Sequence, residues 1–175
     1  MNIPNSLTLL RILLIPIFVV ILVLRIPYYG DLLAAAIFIL AALTDSLDGY
    51  LARKYKQITK LGIILDPIAD KLLITAALIC LVELGRIPGW IAIVILGREF
   101  AVSGLRSVKA EEGIIIPASK LGKFKTISQI LAVIFIFSES IFPCFKGVGQ
   151  WAMYIAVVIT VISGVDYFYK FKIAD

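Results

Sequence analysis

The sequence predicts an all-α integral membrane bundle of six transmembrane helices, with the N- and C-termini both cytoplasmic. Three observations carry that expectation. Of 175 residues, 61% are hydrophobic and 17% are charged, whereas a soluble domain is about 45–50% apolar and about 25% charged. The apolar residues gather into six runs, each close to the roughly 20 residues a helix needs to cross a hydrocarbon core of about 30 Å. The basic residues crowd into alternate gaps between those runs, as the positive-inside rule requires.

The runs are Leu7–Leu24, Asp31–Ala52, Ile63–Leu84, Pro88–Val108, Leu121–Phe142 and Gln150–Phe171. Helix-breaking or charged residues separate them: Pro27 and Gly30, the stretch from Lys54 to Lys60, Gly85 and Arg86, Glu111 to Gly113 with Pro117, and Pro143 with Gly147 and Gly149. The residues ahead of the first run include no base, and Arg11 interrupts the run itself. A permanent helix is therefore expected there, not a cleaved signal. No repeat or low-complexity segment is visible, and residues 1–175 are expected to form a single domain.

With the N-terminus inside, the cytoplasmic loops, their flanks and the C-terminus hold eleven basic residues. These are Arg53, Lys54, Lys56, Lys60, Arg106, Lys109, Lys120, Lys123, Lys125, Lys170 and Lys172. The opposite side holds three, Arg25, Arg86 and Lys146. A net charge of +5 in such a chain points to anionic membrane lipid as partner and not to nucleic acid. Histidine is absent, which excludes imidazole acid–base chemistry and His-ligated zinc. Cys80 and Cys144 form no paired motif and are expected to be small buried hydrophobes.

A carboxylate at the bilayer centre costs about 2.5–3.5 kcal/mol. Even so, four of the seven aspartates, Asp45, Asp48, Asp66 and Asp70, fall within 26 residues. Spacings of three and four place each pair on one helical face. The short basic connection predicts antiparallel neighbours with the four acids at similar depth, and Pro67 is expected in the first turn of the third helix. Two like charges about 6 Å apart repel by roughly 3 kcal/mol at an effective dielectric of 20. Either some of the acids are protonated or divalent cations neutralise them, and an all-oxygen site favours Mg²⁺, Mn²⁺ or Ca²⁺.

Written out, Asp45-x-x-Asp48-Gly49-x-x-Ala52-Arg53, eight residues, Gly62-x-x-x-Asp66-x-x-x-Asp70 resembles the signature of the CDP-alcohol phosphatidyltransferases at all eight fixed positions. The resemblance implies displacement of CMP from a CDP-linked lipid by an alcohol that attacks the β-phosphorus, with two divalent cations, Mg²⁺ or Mn²⁺, as cofactors. It implies Asp45, Asp48, Asp66 and Asp70 as metal ligands, with Asp70 also the catalytic base. It further implies that Gly49, Arg53 and Gly62 contact CDP-diacylglycerol, with Thr59 a further contact. Asn5, Thr8 and Arg11, spaced by three along the first helix, form a second polar set that the family places at the nucleotide.

For the acceptor, Arg98 and Arg106 lie eight apart in the fourth run, and Lys123 and Lys125 open the fifth. Such a cluster suits an acceptor phosphate. The strings Asn2 to Arg11, Asp66 to Lys71, Gly97 to Arg106 and Gly122 to Thr126 are similar to the branch that uses sn-glycerol 3-phosphate and makes phosphatidylglycerol phosphate. Other branches take inositol phosphate, inositol, serine or phosphatidylglycerol. The family also implies a homodimer, and a chain this compact implies a bacterial plasma membrane with the site facing the cytoplasm. The competing class is a cation or proton transporter that uses the acidic hairpin as its ion path. Such sites usually sit near the bilayer midplane in repeated halves, and here the acids lie toward one end.

Overall fold

The chain folds as a bundle of α-helices, seen in a computed structural model that describes residues 3–55, 60–113 and 120–174. Among the described residues there are six α-helices and no strand: α1 (Ile3–Val23), α2 (Gly30–Tyr55), α3 (Lys60–Glu83), α4 (Gly89–Glu111), α5 (Lys120–Ser138) and α6 (Val148–Ala174). A 3-10 turn, Pro143–Phe145, separates the last two. Each predicted run corresponds to one helix. Among the described residues, stretches long and apolar enough to cross a membrane lie in three helices, Ser6–Val23, Leu121–Ser138 and Val148–Tyr169, with a shorter apolar stretch, Gly30–Thr44, in α2. The charged residues Asp66, Asp70 and Lys71 in α3, and Arg98, Glu99 and Arg106 in α4, dilute the other two helices.

Lipid tails are as apolar as leucine side chains, so a bundle in a bilayer gains from close packing and polar links more than from hydrophobic transfer. The interior matches that logic. Ala34, Ala41, Ala69, Ala77, Ala132 and Ala156 are fully buried and let helix backbones approach. Phe18 of α1 is the hub, with its ring 5.8 Å from Phe38 of α2 and 6.0 Å, edge-on, from Phe137 of α5. Leu13, Ile17 and Val20 on α1, with Ile155, Val158 and Ile162 on α6, turn outward.

Helix α1 is the main partner of both acid-bearing helices; among the described residues α2 and α3 meet each other less extensively than either meets α1. The expected two-helix hairpin is thus a three-helix arrangement. Pro67 also departs from expectation. It lies inside α3, which begins at Lys60, because the helix runs back through the glycine and isoleucines at 62–64. Its missing N–H leaves the Ile63 carbonyl without its usual intrahelical donor. Cys80 is buried as expected, but Cys144, in the 3-10 turn, is exposed.

The end remote from the acids is closed by polar links. Arg86 donates to both carboxylate oxygens of Asp31 at 2.6 and 2.8 Å. Gln150 donates to the Arg86 carbonyl at 2.7 Å, and the Gly149 N–H donates to Glu139 at 2.8 Å. Trp90 stacks on Tyr154 at 6.2 Å, and Trp151 meets the same ring edge-on at 6.1 Å. Aromatics at this level suit a membrane interface. A cavity of about 410 Å³ opens here beside Arg25, Asp31 and Arg86.

Candidate active site

The acidic motif is carried on two continuous helices. Asp45 and Asp48 belong to α2 and Asp66 and Asp70 to α3, so the three- and four-residue spacings do give shared faces. Asn5 lies in α1, and Gly49 and Arg53 lie in α2 beside Asp45 and Asp48; the side chains at these positions are not among those described, and Thr59 lies outside the described residues. Gly62 is buried.

The described half of the site begins with Asp66, which is half-buried. The Thr8 hydroxyl, itself buried, donates to its Oδ1 at 2.7 Å. That bond fixes the carboxylate's orientation, because α1 is packed along α3 and Thr8 has little freedom to turn away. Thr8, expected at the nucleotide, is therefore in contact with an acid of the motif. Three residues further along α1, Arg11 is fully buried.

Arg11 lines a narrow cavity of about 30 Å³, together with Phe38 of α2, Asp70 and Lys71 of α3, Glu99 of α4, and Lys125 and Gln129 of α5. That volume holds about two water molecules. Five helices contribute to it, and it brings a motif carboxylate, a first-helix arginine and a fifth-helix lysine to one space. Three cations and two carboxylates face it, so its balance is positive by one charge.

The cations expected at an acceptor phosphate divide into two groups. Lys125 is buried, and its ammonium donates to Glu99 Oε2 at 2.5 Å. Arg98 is only 3.4 Å from the other oxygen of Glu99, and it donates to the Ser163 hydroxyl of α6 at 2.8 Å. These two are brought together through one carboxylate. Arg106 and Lys123 are exposed on their helices and do not line the cavity.

Sequence reasoning missed two polar links. Gln129 donates to the Thr160 hydroxyl at 2.9 Å, with both groups buried, and Ser163 with Gly164 forms the seat for Arg98. A hint of the first was available, since Gln129 lies one turn after Lys125 and on the same face. At Gly164 a Cβ would come within 3.1 Å of the Arg98 Cγ, so the arginine lies directly across bare backbone.

The donor set fits a hard divalent cation. The motif offers only carboxylate oxygens, and one of them, on Asp66, is already oriented by a hydroxyl, as ligating carboxylates are. Among the described residues no three ligand-type side chains converge; the α3 pair supplies the described part of the set.

The sequence model of a family described as CDP-alcohol phosphatidyltransferase matches residues 1–162. The chain is 44% identical to the CDP-diacylglycerol–glycerol-3-phosphate 3-phosphatidyltransferase of Bacillus subtilis, over 97% of this chain and 94% of that protein. It is 39% identical to the protein of the same name from Rickettsia bellii, over 95% and 93%. It is also 42% identical to a probable phosphatidylglycerophosphate synthase of Mycobacterium tuberculosis, over 95% of this chain and 79% of that protein.

Proposed function

Because the chain belongs to the CDP-alcohol phosphatidyltransferase family, we propose the following account of its reaction and of the residues that perform it. It is an enzyme that transfers a phosphatidyl group from CDP-diacylglycerol to sn-glycerol 3-phosphate, giving phosphatidylglycerol phosphate and CMP. Near-full-length similarity to relatives named for that reaction supports the assignment, and the eight-position motif on α2 and α3 carries it.

The acceptor hydroxyl oxygen forms a bond to the β-phosphorus while the bond to CMP breaks. Divalent cations, Mg²⁺ or Mn²⁺, supply charge neutralisation of the diphosphate and acidify the alcohol. Asp45, Asp48, Asp66 and Asp70 are the residues that hold two of them. Asp70 removes the hydroxyl proton, a role supported by its place on the cavity wall. Thr8 keeps Asp66 in its ligating orientation. Asn5, Arg11, Gly49, Arg53, Thr59 and Gly62 serve the CDP end of the donor. Lys125 is the first contact for the acceptor phosphate, since it shares the cavity with Asp70, and Arg98, Arg106 and Lys123 extend the basic surface toward it. The enzyme is a membrane protein whose site faces the cytoplasm of a bacterial cell, and it works as a homodimer.

Purified protein in mixed micelles with CDP-diacylglycerol, offered glycerol 3-phosphate, inositol phosphate, inositol, serine and phosphatidylglycerol in turn, tests the proposal. Release of CMP with a new phosphatidylglycerol phosphate spot is expected from glycerol 3-phosphate alone, only with Mg²⁺ or Mn²⁺ present. Turnover undiminished in excess chelator sinks the metal mechanism, and a better rate with another alcohol sinks the acceptor assignment.

A further inference from the structure

Lys125 owes its place on the cavity wall to a residue that no catalytic or binding role yet covers. A lysine side chain has four flexible carbons and loses about 2 kcal/mol of rotamer freedom when held in one conformation. Here the ammonium is held by Glu99 Oε2 at 2.5 Å, with both groups buried. An ammonium has three N–H donors; Glu99 takes one, and the side chain still borders the cavity that contains Asp70. The other oxygen of Glu99 faces Arg98, which is anchored on the Ser163 hydroxyl at 2.8 Å and lies across Gly164. One carboxylate therefore lies between a buried ammonium and a half-buried guanidinium, and with the Arg98–Ser163 bond it ties α4 to α5 and α6. Without it the cations would repel across a low-dielectric interior and lysine, the more mobile partner, would move.

We propose that Glu99 is a positioning residue for the acceptor, holding the Lys125 ammonium at the cavity where the phosphate of glycerol 3-phosphate binds while Arg98 locks the carboxylate to α6. The proposal rests on the reading of Lys125 as an acceptor contact, and the variants below separate the two.

Steady-state kinetics with each substrate varied in turn decide the matter. K125Q raises the KM for glycerol 3-phosphate about tenfold, the scale of one charge-assisted hydrogen bond. E99Q produces a rise of similar size, with kcat and the KM for CDP-diacylglycerol held within about twofold. The double variant E99Q/K125Q is no worse than K125Q alone, because Glu99 acts through the lysine. E99D keeps the charge but draws it back by one methylene. It shows a smaller rise, and it decides the question if E99Q does not assemble. An unchanged acceptor KM in K125Q removes the acceptor reading and this inference with it. If K125Q shows its defect, the inference alone is overturned by any of three results: a wild-type acceptor KM in E99Q (or in E99D where that variant decides), parallel loss toward both substrates, or fully multiplying effects in the double variant.

Discussion

Thr8 and Asp66 are 58 positions apart in the chain, yet their side chains meet at 2.7 Å. A group that orients a metal-binding carboxylate typically contributes about 10–100-fold to metal affinity or activity. Thr8→Val keeps the shape of the side chain and removes the donor, so CMP release at limiting Mg²⁺ is expected to fall about 10–100-fold, with partial recovery at high Mg²⁺. Thr8→Ser should stay near wild type. A Mg²⁺ titration of the three proteins checks this, and superimposable curves would remove the orienting role. The same pair shows what was legible in the sequence. The four aspartates stood out because their spacing along α2 and α3 is itself a geometric statement. Contacts between helices, such as Thr8 with Asp66, Lys125 with Glu99 and Arg98 with Ser163, leave no periodic trace. Lys125 was visible as a cation, but its carboxylate partner was not.

At the level of elements, the junction between α5 and α6 is tightly specified. A Cβ on Gly149 would fall 2.7 Å from the Ile136 backbone nitrogen and 2.8 Å from the Glu139 carboxylate. Neither can withdraw cheaply, because Ile136 is buried in α5 and Glu139 already accepts the Gly149 N–H. Gly149→Ala is expected to cost about 1–3 kcal/mol, the usual range for overpacking, and to lower the thermal midpoint in detergent; an unchanged midpoint would show that the junction yields. Helix existence was readable from run length alone, while helix ends were less so. The fifth run predicts a helix through Phe142, yet α5 stops at Ser138, where the chain turns so that Glu139 can cap α6 and where Pro143 disfavours a helical Phe142. Pro67 misleads in the opposite direction. Prolines favour a first turn, but this one is exposed inside α3, and membrane helices tolerate an internal proline through local adjustment around the freed backbone group.

Across the whole molecule, the described residues give three helices with a stretch apolar enough to cross a membrane, and the four motif acids lie on α2 and α3, outside those three. Most of the residues that make α3 and α4 poor spans by composition, Asp66, Asp70, Lys71, Arg98 and Glu99, are also residues of the candidate site or its partners, which explains how six runs could be seen while their charges resisted a purely hydropathic account. The link from Glu99 to Lys125 has a consequence for biosynthesis. When α4 leaves the ribosome it holds Arg98 and Glu99, and the lysine arrives 26 residues later on α5. Until then Glu99 has only Arg98, at 3.4 Å on the same helix, to offset it, and a charge at the bilayer centre costs about 2.5–3.5 kcal/mol, so the two helices should enter the bilayer as one unit. Nascent chains arrested before α5 are expected to leave α4 accessible to a glycosylation reporter, and chains extended past α5 to protect it. Equal protection at both lengths would mean that α4 inserts unaided.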